Sequence, residues 1–151
     1  MRTVDRIAVR AETARVFTLA SDVERWPSFL AHYRRVRCLE RHAEHAVVEM
    51  AAWRPFGPIR YPVWWVSKMW VDPAARSVRY RHIRGVTTGM DVLWTVDGTD
   101  GAVDVEILHE WHGPRWPLIG GFAANAVIGP HFVHAIASRT LAGLKREAET
   151  A

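Results

Sequence analysis

Apolar and polar positions alternate from the start of the chain. Ile7 and Val9 oppose Arg6, Ala8 and Arg10, which predicts a first strand over residues 4–10. Residues 12–20 switch to helical spacing. Ser21-Asp22 then offers an N-cap for a second short helix, with Glu24 in its first turn and an end near His32. From Tyr33 to Trp111 the alternation returns in residues 34–41, 46–54, 61–71, 77–84, 89–96 and 103–111. Breakers separate these segments at Pro55-Phe56-Gly57-Pro58, Asp72-Pro73, Gly85 and Asp97-Gly98-Thr99-Asp100-Gly101. Beyond Gly113-Pro114-Arg115-Trp116-Pro117, residues 118–149 carry a helical pattern that Pro130 must kink or break.

Strands this closely spaced, joined by short turns, predict an antiparallel sheet rather than βαβ units. The order is strand, two short helices, six strands and one long C-terminal helix, an α+β arrangement. The economical way to cover such a sheet is to curve it strongly around the long helix, which leaves a cavity between them. Residues two apart on a strand share a face. Lys68 is costly to bury, so Trp64, Val66 and Trp70 are expected outside, and Val63, Trp65, Ser67 and Met69 inside. The same logic turns Val78, Tyr80 and His82 inward, with Met90, Val92 and Trp94, and Val105, Ile107, His109 and Trp111. The inner surface is then aromatic and apolar with isolated polar groups at Tyr33, Ser67, Tyr80, His82 and His109. This is the makeup of a small-molecule pocket, although a filled core would read the same way.

Composition narrows the class. The 151 residues fit one domain, over 1–151, and 49% hydrophobic with 24% charged residues excludes disorder. No apolar run approaches the roughly 18 residues of a membrane span, and Met1 to Arg6 lacks the apolar core of a signal peptide, so a cytoplasmic location is expected. Cys38 is the only cysteine, which rules out an internal disulfide and a thiolate zinc site. Eight tryptophans exceed what packing a core of this size needs. Of the 20 basic residues only Lys68 and Lys145 are lysines, and the net charge is +4. That balance weakly favours anionic partners and does not by itself indicate nucleic acid.

The element order, Asp22-Val23-Glu24-Arg25-Trp26-Pro27 and Trp65-Val66-Ser67 in mid-sheet resemble the START/Bet v1-like (SRPBCC) superfamily, within it the bacterial polyketide cyclase/dehydrase (aromatase/cyclase) group. The tail from Trp116-Pro117-Leu118-Ile119-Gly120-Gly121-Phe122 to Leu141-Ala142-Gly143-Leu144-Lys145 is also similar to small family members. The resemblance covers nearly the whole chain. It implies a helix-grip fold and a deep cavity between the sheet and the C-terminal helix that receives a poly-β-ketone chain. Trp26, Tyr33, Trp65, Ser67 and Trp94 match aromatic and serine positions that shape the folded substrate. Met69 departs from the family, standing where aromatase-type members carry a cavity arginine, and His82 lies near another position that is often arginine. Because the superfamily includes enzymes, lipid and quinone carriers and plain binding proteins, the fold it implies does not fix an activity.

The chemistry such a cavity would perform is aldol cyclisation followed by dehydration of an aromatic polyketide. His82 or His109 is the candidate base and Tyr33 a further catalytic candidate, with Tyr80 and Ser67 as alternative oxyanion donors. The expected ligand-binding set is Trp26, Phe29, Tyr33, Trp65, Ser67, Met69, Tyr80, His82, Met90, Trp94, Ile107, His109 and Trp111. The alternative is a non-catalytic lipid or quinone carrier, and a third reading is a structural or protein-binding domain. No cofactor is expected. No metal is expected either: His109 and His112 face opposite sides of a strand, and His131 and His134 lack a nearby third ligand. Arg34, Arg35, Arg37 and Arg41, with Arg79, Arg81 and Arg84, form a basic stripe that an acyl carrier protein would fit, or an outer face neutralised by Glu40, Glu49, Asp104 and Glu106. Outward Trp64 and Trp70 make a homodimer one outcome.

Overall fold

The computed structural model describes residues 1–56, 58–85, 87–112 and 130–150. The chain runs β1 (Arg2–Val9), α1 (Thr13–Ser21), a 3-10 turn (Val23–Arg25), α2 (Trp26–Phe29), β2 (Tyr33–Arg41), β3 (Ala46–Phe56), β4 (Ile59–Asp72), β5 (Ser77–Gly85), β6 (Asp91–Thr99), β7 (Ala102–Glu110) and α3 (Pro130–Glu149). The seven strands form one antiparallel sheet in the order β1-β7-β6-β5-β4-β3-β2. Irregular pairing at Tyr33/Arg35 and Cys38/Glu40 in β2, and at Val66/Ser67 in β4, adds the local bending that lets the sheet curve. The arrangement is the α+β curved antiparallel sheet with a long C-terminal helix that the pattern predicted, and the helix-grip fold that the resemblance implied.

Three boundaries differ from the sequence reading for local reasons. Ser21 belongs to α1, where its hydroxyl donates to the Phe17 carbonyl at 2.8 Å, and the Asp22 N–H donates to Thr18 O. Asp22 therefore makes no side-chain cap, and the second helix is a 3-10 turn followed by one turn of α-helix that stops at Phe29. Leu30 leaves the helix in an extended conformation and packs against α3 at Gly143. A β-carbon on Gly143 would lie 2.3 Å from Leu30 Cδ2, so a larger residue there would push the leucine methyl aside. The breaker at Pro55 does not end β3, which continues with Pro55 opposite Arg60 and Phe56 opposite Ile59. Residues 118–129 of the expected C-terminal helix, including most of the Trp116–Phe122 motif, lie outside the described residues.

The facing assignments hold with one change. Trp65, Ser67 and Met69 are buried, as are Val78, Tyr80 and His82, while Lys68 and Trp64 are exposed. Val66 shares the outer face with Lys68 yet is 2% exposed. Glu49 stands directly across from it and is tied to Arg35 at 2.9 Å and Arg37 at 3.0 Å, so this charged group covers the valine. The Trp64 indole, then Arg37 and Arg35, hold the Glu49 carboxyl below the usual carboxylate range. The outward aromatics also have neighbours within the chain: Trp64 bonds to Glu49, and the Arg79 guanidinium lies 5.0 Å from the Trp70 ring centre. No helix among the described residues is long and apolar enough to cross a membrane.

Candidate functional site

α3 runs along the inner face of the sheet. Val133, Ile136, Ala137 and Thr140 recur at helical spacing on one side of it and form one wall of a cavity of about 70 Å³. The opposite wall is the sheet, through Met50, Trp65, Tyr80, Val92 and Ile107 among others. At one end Trp26 is fixed by its indole N–H, which donates to the Leu19 carbonyl at 2.9 Å. Its ring centre lies 5.1 Å from Tyr33, edge to face, and 5.4 Å from Trp94. Tyr33 in turn meets Trp65 edge to face at 6.2 Å, and Trp65 stacks on His82 at 5.7 Å with the rings 9° from parallel. The rings are in mutual contact, and the hollow persists beside them.

The polar groups of this wall fall into two sets. His82 is satisfied: the turn after β5 brings Thr87 back so that its Oγ1 lies 2.6 Å from His82 Nδ1. Gly85 makes that turn possible. Its φ is +97°, and a β-carbon there would meet the Trp64 carbonyl oxygen at 2.4 Å. Tyr33 bonds to the Thr140 hydroxyl, which also lies 2.9 Å from His32 Nε2 and donates to the Ile136 carbonyl at 2.8 Å. Two buried polar atoms on the cavity wall, Tyr80 Oη and His109 Nδ1, have no partner among the described residues.

Burial decides the protonation of these groups. Loss of solvent, then repulsion from His109, lowers His82 from 6.5 to about 3, and burial lowers His109 to about 4. Both imidazoles are neutral at pH 7. Burial pushes the Tyr33 and Tyr80 phenols well above their ordinary value, so both keep their protons. The described wall contains no Arg, Lys, Asp or Glu side chain. It offers neutral donors and neutral bases in an apolar setting.

Of the residues expected from sequence, Trp26, Tyr33, Trp65, Tyr80, His82, Met90, Trp94, Ile107 and His109 line this cavity. Four do not. Phe29 is only partly buried and packs at the margin of the core. Ser67 is fully buried directly across from His82, with its hydroxyl unpartnered among the described residues, but lies off the wall. Met69 is two residues further along β4 and borders a separate hollow beside the β2–β3 hairpin. Trp111 is buried and donates its indole N–H to the Thr88 carbonyl at 3.1 Å. Met50, Thr87, Phe132 and the α3 face were not anticipated. Spacing on α3 would have marked Val133, Ile136, Ala137 and Thr140, whereas Thr87 sits in a turn that no periodicity reaches.

Residues 9–128 match the family described as polyketide cyclase / dehydrase and lipid transport. The chain belongs to that family. Over 103 residues it is 29% identical to a Streptomyces halstedii protein provisionally assigned as a polyketide cyclase, covering 67% of this chain and 92% of that one. The Zhui aromatase/cyclase of a Streptomyces species superposes with a TM-score of 0.82 at 18% identity, over 99% of this chain and 93% of that one. A START superfamily protein from Mycobacterium smegmatis superposes with a TM-score of 0.74 at 11% identity, over 98% and 97% of the two chains. At those identities the solved structures establish a shared fold. The cavity of this polyketide cyclase/dehydrase family member therefore has to be read from its own side chains.

Proposed function

We propose that the cavity binds a hydrophobic, polyketide-like molecule through its carbonyl oxygens, and that the protein promotes aldol cyclisation and dehydration of that molecule. The observation that carries this reading is a pair of atoms buried on an apolar wall, Tyr80 Oη and His109 Nδ1, that have no partner among the described residues. Leaving a buried polar group unsatisfied costs about 1–3 kcal/mol. A ligand carbonyl accepting from the Tyr80 hydroxyl removes that cost, which a plain hydrocarbon cannot do. The volume of about 70 Å³ is under half of the roughly 150 Å³ of an engineered cavity that accepts benzene. Binding on this reading displaces part of the wall. The strands are tied by ladder hydrogen bonds, so the α3 side, at Phe132, Val133 and Ile136, gives way.

The chemistry follows from the neutral groups. A neutral imidazole, His82 or His109, takes the acidic proton between two carbonyls, and the resulting enolate oxygen accepts from a tyrosine hydroxyl. The tautomer in which His82 Nδ1–H donates to Thr87 Oγ1 is the one that leaves the Nε2 lone pair for this work. The enolate carbon bonds to a distant ketone carbon, whose oxygen becomes an alkoxide and takes the proton back from the imidazolium. The imidazole, neutral again, then removes the second proton of the former enolate carbon, the C–O bond breaks as the ring double bond forms, and the leaving hydroxyl takes that proton and departs as water. Imidazolium in so dry a site is strongly acidic, which suits it to return the proton to the departing hydroxyl. Such acid–base help contributes about 10²–10⁴ in rate. Incubation with a reactive poly-β-ketone analogue tests the proposal. A cyclised product distribution that differs from the spontaneous one, and that reverts in His82→Ala or His109→Ala, supports it. An unchanged distribution refutes catalysis.

One observation favours a second reading. The described wall has no charged side chain to polarise a ketone, and Met69 provides none either. A carrier of an apolar ligand needs no such group. Retention of an apolar ligand through purification, seen by native mass spectrometry, combined with no change in the poly-β-ketone products, would favour the carrier.

A further inference from the structure

Three groups converge on the Thr140 hydroxyl, which is buried on the α3 wall of the cavity. The Ile136 carbonyl lies 2.8 Å from Thr140 Oγ1, His32 Nε2 lies 2.9 Å from it, and the Tyr33 hydroxyl bonds to it as well. A hydroxyl has one proton to give and two lone pairs that can accept. A carbonyl can only accept, so the proton of Thr140 goes to Ile136, one turn back on the same helix. The two lone pairs are left for His32 and Tyr33, and each of these must donate. The Thr140 hydroxyl is then saturated.

Two proton positions are fixed in this way. Burial, then the charge of Arg139, holds the His32 imidazole at about 4, so at pH 7 it is neutral with a single N–H, and that hydrogen sits on Nε2. The Ile136 carbonyl, beside Thr140 Oγ1, also accepts from the His32 imidazole, in keeping with a proton on that side of the ring. The Tyr33 hydroxyl gives its proton to Thr140, and its ring is held by His32 at 4.8 Å and Trp26 at 5.1 Å between centres. What Tyr33 offers the cavity is therefore a lone pair. Tyr80 differs: its hydroxyl has no partner among the described residues and keeps its proton for a ligand. We propose that Thr140, with His32, is a positioning residue that turns Tyr33 into a hydrogen-bond acceptor, so that the cavity selects a ligand bearing a hydroxyl as well as a carbonyl. The enol form of a β-diketone has that pairing, and so does a phenolic ketone. The proposal rests on the reading of the cavity as a site for carbonyl compounds and adds which end of it takes a donor. It also leaves Tyr80 as the tyrosine whose hydroxyl meets an enolate oxygen.

Nitrogen NMR of the imidazoles in the ligand-free protein at pH 7 reads the proton positions directly. His32 is expected to show a protonated Nε2 and a bare Nδ1, and the reverse tautomer would overturn the proposal. Isothermal titration calorimetry reads the selection, with 1-tetralone, its phenolic derivatives as a set of positional isomers, and their methyl ethers. The best phenol should bind the wild type about tenfold more tightly than either 1-tetralone or its own methyl ether. Tyr33→Phe should remove that advantage and leave the affinity for 1-tetralone unchanged. Thr140→Val keeps the shape, removes the oxygen and frees the Tyr33 proton, so the methyl ether should gain about tenfold on the phenol. Thr140→Ser, which keeps the hydroxyl, should match the wild type. A Thr140 that only packs the helix would shift phenol and ether together, and that result would overturn the proposal. If 1-tetralone binds and no phenol exceeds it, the proposal falls and the carbonyl site stands. If none of these compounds binds, the cavity reading fails and the proposal falls with it.

Discussion

Thr87 Oγ1 and His82 Nδ1 lie 2.6 Å apart, joining the turn after β5 to the inner face of the sheet. His82 is 8% exposed and Thr87 2%, so neither has water as a substitute partner. Thr87→Val keeps the shape and removes the oxygen. We expect it to lower unfolding free energy by about 1–3 kcal/mol, the usual cost of an unsatisfied buried polar group, as measured by urea denaturation. In a His82→Phe background the Thr87→Val change should lose its cost and turn stabilising, because the buried Thr87 hydroxyl is then the group without its partner.

Stability should depend on pH in a particular direction. His82 titrates at about 3 and His109 at about 4 in the folded protein, against 6.5 when unfolded, both because of burial. Below 6.5 the unfolded chain takes up protons that the folded chain refuses, so stability falls as pH drops toward 4. Above 6.5 neither state gains a proton at these groups, and their contribution is fully present. Urea midpoints from pH 4.5 to 7.5 should rise and then level off. His109→Phe should flatten the acid side of that curve, and an unchanged slope would contradict the burial argument.

Ala137 lines the cavity from α3 and is 4% exposed. Ala137→Leu adds three carbons where the hollow lies. It should abolish binding of apolar ligands while shifting stability by about 1–3 kcal/mol at most, the range for added bulk in a packed interior. Displacement of a fluorescent apolar dye, paired with thermal denaturation, separates the two effects. Full binding by a folded Ala137→Leu variant would place the ligand elsewhere.

A second bonded pair, one carboxylate buried and one imidazole exposed, stands apart from the cavity. Asp5 on β1 is 6% exposed and bonds to His134 Nδ1 on α3, with its other oxygen unpartnered among the described residues. His134→Ala strands that carboxylate, and Asp5→Asn removes the charge at its source. The former should cost about 1–3 kcal/mol and the latter less, which chemical denaturation at pH 7 would reveal.

The fold was largely readable because the strands alternate with charged residues at Lys68, Arg79, Arg81, Asp104 and Glu106, which declare the outer face without help from tertiary structure. The sheet side of the cavity follows from that alternation, and Trp65, Tyr80, His82 and His109 fall where it put them. Where tertiary packing overrides local pattern, the sequence was silent. The end of α2 depends on Leu30 meeting a glycine 113 positions along the chain at Gly143. Thr87 acts through a turn built on Gly85, and Val66 is hidden by a carboxylate that two arginines hold over it. Ser67 and Met69 show the limit of face assignment: pointing inward places a side chain in the interior, and the helix packed above decides whether it meets a space.

The central claim is that Tyr80 presents its hydroxyl to a carbonyl oxygen of a bound apolar molecule. The most direct measurement is the calorimetric affinity of the wild type and of Tyr80→Phe for 1-tetralone and for tetralin, the same bicycle without the oxygen. The account predicts a preference for the ketone of about tenfold, equivalent to about 1.4 kcal/mol, that vanishes in Tyr80→Phe while tetralin binds both proteins alike. Equal binding of ketone and hydrocarbon by the wild type, or an undiminished preference in the variant, would contradict it.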